Sequence, residues 1–201
     1  MANFEQAFQI TLGHEGGYVF DPDDAGGETY RGVARRYHPN WSGWEIIDQL
    51  KQQSDSRRQL NKRLDENRPL QSQIQSFYKQ HYWDRFQGDL IASQDLAEEL
   101  FDTGVNMGVH RAVRFLQEGL NLLNRNQKSF KDILEDGKSG PGTLGALEAY
   151  LAKDPAEYLL KIMNILQGMH YIEYMRKSPT QEKYARGWLK RVCIGEPGGE
   201  Q

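Results

Sequence analysis

The chain reads as a mainly α protein with a small β element near its N-terminus. Apolar residues recur at three-to-four spacing over long stretches. The clearest runs from 94 to 124, where Leu96, Leu100, Val105, Val109, Val113, Leu116, Leu120 and Leu123 follow a helical period. Residues 16 to 44 break that period with Gly16, Gly17, Gly26, Gly27, Gly32 and the turn-forming pair Asp21-Pro22. Between those breakers sit strand formers: Tyr18, Val19 and Phe20, then Thr29, Tyr30 and the Gly32-Val33 step.

The elements follow in order. Asn3 is a suitable N-cap, and Gln6 sits where a capping box places its polar partner. The first helix is predicted from Phe4 to Glu15, about 18 Å long, and Gly16-Gly17 stops it. A hairpin or three-stranded flap follows. Trp44 to about Leu70 reads as polar helix with sparse anchors at Ile46, Ile47, Leu50, Leu60 and Leu64. Its Lys51, Arg57, Arg58, Lys62, Arg63 and Arg68 read as a solvated basic face. Leu70 to Trp83 reads as a further helix. In the 94–124 run, Gly104 and Gly108 predict a break or close helix packing. Asp136-Gly137 to Thr143 is a glycine-rich loop. Asp154-Pro155 with Glu157 predicts a capped helix start. That helix is expected to reach about Lys177, with Leu159, Ile162, Leu166, Met169 and Ile172 facing inward, and Ser178-Pro179 ends it.

Composition narrows the function classes. The chain has 201 residues, enough for one sizeable core or two small lobes, and 38% hydrophobic with 26% charged residues is the mix of a globular chain. A net charge of -3 does not point to nucleic acid or an anionic membrane. The first thirty residues carry six acids and no Lys or Arg. Cys193 is the sole cysteine, which excludes a disulfide framework and a cysteine-built zinc site; it reads as a small hydrophobe. No basic leader region and no apolar run of transmembrane length is present. If the protein acts outside the cytoplasm, release or non-classical export is therefore the expected route.

Glu15 is the first candidate for chemistry. Phe4, Phe8 and Leu12 recur on one helix face, and Glu15 falls three residues further on the same face. A carboxylate losing water there is pushed toward its neutral form, and a neutral carboxylic acid near neutral pH can protonate a leaving group. Asp24, in a polar loop with Asp21 and Asp23, can stay ionised and stabilise positive charge on a sugar or activate water. Thr29 can hold a water through its hydroxyl. The competing readings are a carboxylate that only bonds loop amides and aspartates that only shape a turn. An EF-hand fails because Ala25 and Gly32 occupy ligand positions, and a zinc-protease motif fails because Tyr18 stands where a second histidine is needed. His38, His81, His110 and His170 are widely scattered. No metal or organic cofactor is expected.

Aromatics crowd the N-terminal half: Tyr18, Tyr30, Tyr37, Trp41, Trp44, Tyr82 and Trp83. Two or three are expected at a ligand groove, where they can stack on sugar faces, and the rest in the core. Asp102 and Asn106, four residues apart on one helix face, either line a groove or cap the break at Gly104.

The run Glu15-Gly-Gly-Tyr-Val-Phe-Asp-Pro-Asp-Asp-Ala-Gly-Gly-Glu-Thr-Tyr-Arg-Gly-Val33 resembles the opening signature of the glycoside hydrolase family 108 lysozymes. These are N-acetylmuramidases of phages and bacteria, some labelled secretion activators. The resemblance continues at Tyr82-Trp83, Leu100-Phe-Asp-Thr-Gly-Val-Asn-Met-Gly108, Leu116-Gln117 and Gly187-Trp-Leu-Lys-Arg-Val192. Asp136-Gly-Lys-Ser-Gly-Pro-Gly-Thr-Leu144 is similar to that family's predicted peptidoglycan-binding portion.

The resemblance implies a lysozyme-like helical fold. It implies a catalytic portion over 1–92, a peptidoglycan-binding portion over 93–194 packed on it, and a flexible tail over 195–201. It places the proposed catalytic glutamate at Glu15, and the wider lysozyme pattern extends it to Asp24 and Thr29. Tyr18, Tyr30, Asp102 and Asn106 are the candidate substrate contacts. The step from Asp24 to Thr29 is one residue shorter than in common phage lysozymes, and the segment 52–67 is longer and more charged than the family pattern. The implied activity is cleavage of the β-1,4 bond between N-acetylmuramic acid and N-acetylglucosamine. Peptidoglycan strands are the implied partner, and a monomer is expected. A non-catalytic wall-binding module and a lytic transglycosylase are the alternatives.

Overall fold

The computed structural model describes residues 1–12, 16–20 and 27–193. The chain forms two compact units, Phe8–His81 and Met1–Ala7 with Tyr82–Gln201. The first helix, α1 (Phe4–Leu12), contributes its first turn to one and the rest to the other. It starts as the sequence predicts: Asn3 Oδ1 accepts the Gln6 N–H at 3.0 Å. Phe8 and Leu12 are buried. The last predicted turn, residues 13 to 15, lies outside the described residues.

In the Phe8–His81 unit, β1 (Tyr18–Phe20), β2 (Glu28–Tyr30) and β3 (Val33–Ala34) form an antiparallel meander in that order. Tyr18 pairs with Tyr30, and Thr29 lies between Val19 and Ala34. The β2–β3 turn places Arg31 and Gly32 at φ 43° and 80°, the pair of positive angles that a tight hairpin turn requires. A Cβ on Gly32 would lie 2.4 Å from the Tyr78 hydroxyl, so no larger residue fits there.

The polar stretch read as one helix is two, α2 (Gly43–Gln52) and α3 (Arg57–Glu66), followed by α4 (Arg68–Tyr78). Local caps make the divisions. Ser56 Oγ accepts the Gln59 N–H at 3.2 Å while Gln59 Oε1 accepts the Asp55 N–H at 2.8 Å. Asn67 Oδ1 accepts the Leu70 N–H at 3.0 Å, with Pro69 in the first turn of α4. The helix expected to reach Trp83 widens into a π turn at Lys79–Trp83.

The other unit is helical. α5 (Gln94–Met107) and α6 (Val109–Leu122) are joined at Gly108, whose φ of 88° with ψ of 143° suits only glycine. Gly104 remains helical. α7 (Pro141–Leu151) begins inside the glycine-rich loop, with Pro141 in its first turn. α8 (Ala156–Lys177) approaches α6 so closely that a Cβ on Gly119 would lie 2.8 Å from Leu159 Cδ1. A short α9 (Ala185–Leu189) follows.

Two expectations for α8 need correction. Asp154 does not cap it; Pro155 holds that position, and Asp154 accepts from Arg125 Nη1 at 2.8 Å. The inward face is also different. Met169 and Ile172 are exposed, whereas Leu159, Met163, Asn164, Gln167 and Tyr171 are buried. Among these, two amides are buried where they meet Glu99 and Thr103 of α5. Asn164 Nδ2 donates to Glu99 Oε2 at 3.0 Å, and Gln167 Nε2 to Thr103 Oγ1 at 2.9 Å. No helix among the described residues is long and apolar enough to cross a membrane.

Candidate active site

Glu15 and Asp24, the two acids on which the sequence reading centres, lie outside the described residues. The described chain that follows Glu15 is held in detail. Gly16 has φ 61°, and its carbonyl accepts the Arg31 N–H at 3.2 Å. The Tyr18 N–H donates to Asn61 Oδ1 at 2.7 Å, and Arg57 Nε donates to the Tyr18 carbonyl at 3.0 Å. A Cβ on Gly17 would lie 2.8 Å from Asn61 Oδ1. The Gly-Gly-Tyr after Glu15 is therefore clamped between the β2–β3 turn and α3. On the turn side, the Tyr78 hydroxyl donates to the Arg31 carbonyl at 2.8 Å, and Arg31 pairs with Asp65 at 3.2 Å.

The clamp gives the charged 52–67 segment a position in the architecture. α3 buries Leu60 and Leu64 and turns Arg57, Asn61 and Asp65 toward the flap. Its polar face is therefore only in part a solvated surface.

Glu28 is the ionic hub of the flap and was not singled out in the sequence. One oxygen accepts hydrogen bonds from the Tyr18 hydroxyl at 2.6 Å and Lys51 Nζ at 2.7 Å, and the other forms an ion pair with Arg35, whose Nε lies 3.1 Å away. Its side chain is 9% exposed. Burial alone raises its pKa. The hydrogen bonds from Lys51 and Tyr18 and the Lys51 and Arg35 charges outweigh burial and hold it below the usual carboxylate value. Glu28 thus stays ionised and cannot serve as a neutral-pH acid. Burial opposes charge on Lys51, but its contacts with Glu28 and Tyr18 raise its pKa overall. The Tyr18 phenol is raised by burial and by Glu28.

The other candidates separate. Tyr18 and Tyr30 are buried, Tyr30 completely, so neither ring has a face for a sugar; both are packing residues. The Tyr30 hydroxyl instead receives Gln71 Nε2 at 2.9 Å. Thr29 is half-buried between Val19 and Ala34 on the opposite face of the sheet from both tyrosines. Asp102 and Asn106 belong to the other compact unit. Arg191 Nη1 donates to Asp102 Oδ1 at 2.6 Å, and Asn106 Nδ2 donates to the Asp102 carbonyl at 2.8 Å. Tyr37 and Trp41 line an open cavity. With His38, Phe77 and His81 they line a space of about 320 Å³ in the Phe8–His81 unit.

One further acid stands out. Burial pushes Glu99 up to about 7, with Asp102 adding to the rise and hydrogen bonds from Thr103 and Asn164 opposing it. Both of its oxygens are engaged, at 2.9 Å by Thr103 Oγ1 and at 3.0 Å by Asn164 Nδ2. The sequence carried the signal, since Glu99 lies three residues after Leu96, as Glu15 lies after Leu12.

The loop and helix of the second unit are joined by one side chain. Buried Gln117 donates to Asp136 Oδ1 at 3.0 Å and to Thr143 Oγ1 at 3.0 Å, and accepts from the Gly137 N–H at 2.8 Å. Leu116-Gln117 and Asp136 to Thr143, read as separate blocks, are thus one structural motif.

Comparison with known proteins agrees with this arrangement. Residues 8–108 match the family described as Glycosyl hydrolase 108, and residues 111–193 match the one described as Predicted Peptidoglycan domain. A solved structure titled "Structure of Brucella abortus SagA" shares the fold. It has 22% identity and a TM-score of 0.61, over 94% of this chain and 88% of that one. No curated protein matches the chain. The glycosyl hydrolase match spans half of the sequence, and on that ground the chain belongs to the glycosyl hydrolase 108 family, a glycoside hydrolase acting on peptidoglycan.

Proposed function

We propose that the chain is an N-acetylmuramidase, cleaving the β-1,4 bond between N-acetylmuramic acid and N-acetylglucosamine. Glu15 protonates the departing glycosidic oxygen. Asp24 stabilises the oxocarbenium-like state or orients the attacking water, with Thr29 assisting. The observation that carries this reading is the clamp on Gly16, Gly17 and Tyr18, which fixes the backbone next to Glu15. A general acid acts only when its proton lies within hydrogen-bond reach of the leaving oxygen, so a fixed backbone at that point serves catalysis directly. Tyr37 and Trp41 supply stacking faces for sugar rings.

The test is direct. Purified protein is incubated with peptidoglycan strands, and new reducing ends are counted. Glu15→Gln keeps the side-chain shape without an acidic proton and is expected to lower the rate by about 10²–10⁴-fold while melting like the parent. Near-parental turnover by that variant refutes the role of Glu15. Anhydro-muramyl ends in the mass spectrum would make the enzyme a transglycosylase instead.

A further inference from the structure

α6 presents one face of polar and aromatic side chains. His110, Arg114 and Glu118 follow at four-residue steps, and Arg111 and Phe115 lie beside them on the same side. The opposite side of the helix, with Ala112, Val113, Leu116 and Leu120, is buried. The exposed side meets His170 of α8, and together they line a cleft of about 370 Å³. Phe115 and His170 lie 6.3 Å apart, and Tyr174 stacks on His170 at 6.4 Å with ring planes 6° apart.

The lining carries two arginines and one acid, with Glu135 acting on Glu118 and Glu173 on His170 from nearby. Arg111 and Arg114 face it from two consecutive helical turns, and Arg111 Nη1 donates to the Met107 carbonyl at 3.3 Å, which orients its guanidinium. The single acid, Glu118, is held above its usual pKa by burial and by the charge of Glu135, with Arg114 opposing. His170 is held below its usual value, first by burial and then by Arg111, so its neutral ring both donates and accepts. The ligand that fits such walls carries carboxylates for the guanidinium forks and apolar groups for the rings.

The position of the cleft narrows the ligand further. All but His110 of its lining residues fall within residues 111–193, the stretch that matches the predicted peptidoglycan domain. His110 itself is backed by Gly137 of the loop that Gln117 holds. At φ 68°, a Cβ on Gly137 would lie 2.6 Å from the His110 carbonyl oxygen. In a peptidoglycan strand the sugar hydroxyls and acetamido groups are neutral, and the stem peptide carries the free carboxylates. We propose that this α6–α8 cleft binds the carboxylate-bearing stem peptide, so that the enzyme holds its polymer by peptide as well as by glycan. The inference rests on the peptidoglycan reading above but not on the role of Glu15.

The experiment uses the full chain in titration calorimetry with three probes: a muramyl peptide with free carboxylates, the same peptide with its carboxylates amidated, and inorganic phosphate. Saturable binding of the acidic peptide is expected, lost on amidation and weakened about tenfold or more by Arg111→Gln or Arg114→Gln. On strands bearing peptides, the two variants should raise KM and leave kcat unchanged. On strands whose peptide carboxylates are amidated they should match the parent. Equal binding of the acidic and amidated peptides overturns the inference, and so do Arg variants that bind like the parent. Phosphate binding as tight as the acidic peptide assigns the cleft to phosphate-bearing polymers and also overturns it. If the parent releases no reducing ends from either strand, the hydrolase reading fails, while the calorimetry still decides the cleft.

Discussion

The Gly137 N–H donates to Gln117 Oε1 at 2.8 Å, and through that contact the glycine-rich loop is built onto α6. The same amide group holds Asp136, the Lys138 carbonyl and Thr143. A single buried side chain therefore satisfies several polar groups of a loop with little apolar surface of its own.

Gln117→Leu keeps approximately the same volume and removes every one of these bonds. The buried Gly137 N–H would be left without its partner, at a cost of about 1–3 kcal/mol. Urea unfolding should show a lower midpoint. A midpoint equal to the parent's would mean that the loop is held by other contacts.

Asn61→Ala tests the clamp on the catalytic motif. It removes the acceptor of the Tyr18 N–H. Asn61 sits at the flap rather than in the core, so stability should fall by only about 1 kcal/mol. Hydrolysis should fall further, by about tenfold or more, because small displacements of a catalytic group are costly. Unchanged kcat with intact folding would show that Glu15 does not depend on this anchor.

Glu28→Ala leaves Lys51 and Arg35 without the carboxylate they share. The two cations are 31% and 37% exposed and Arg35 keeps its contact with Asp48, so the loss should cost about 1–2 kcal/mol, read by thermal melting. The pH dependence has a definite sign. The folded pKa of Glu28 is depressed, so its contribution is present above the ordinary carboxylate value and disappears as pH falls through the folded value. The parent should lose stability in acid more steeply than the variant.

Glu99 predicts the opposite slope. Its folded pKa is raised to about 7, so its contribution is complete below the ordinary carboxylate value and is lost as pH rises toward neutrality. The loss is on the order of 1–3 kcal/mol between about pH 5 and pH 8. Glu99→Gln cannot ionise, and its stability should be flat across that window. A variant whose stability falls as steeply as the parent's would place the titration elsewhere.

The comparison of Glu15 with Glu99 shows how far helix-face reasoning extends. Both follow a leucine by three residues, and the periodicity assigns each to a face that buries its neighbours. Such a pattern identifies a carboxyl short of water. It does not distinguish a catalytic acid from a structural one, because that depends on what the carboxyl meets across the helix interface. Glu99 meets Asn164, sixty-five residues away. Tyr18 and Tyr30 illustrate the same limit. An aromatic beside a catalytic motif can stack on sugar or fill a core, and a strand alternates both outcomes. Pairing with α3 and α4 decides for the core, leaving Tyr37 and Trp41 at the open cavity.

The sequence alone determined the mainly helical class, the cap at Asn3, the flap, a helix break at one of Gly104 and Gly108, and membership in the family. Each of those depends on local backbone geometry or on a contiguous motif, and both are written in consecutive residues. Only the tertiary structure decided that α3 is the brace of the flap, that Glu28 is an ion hub, that α8 buries Asn164 and Gln167 beside Leu159 and Met163, and that Gln117 carries the loop. Those outcomes come from contacts between residues far apart in the chain, where one polar side chain is stable inside the protein only because another satisfies it.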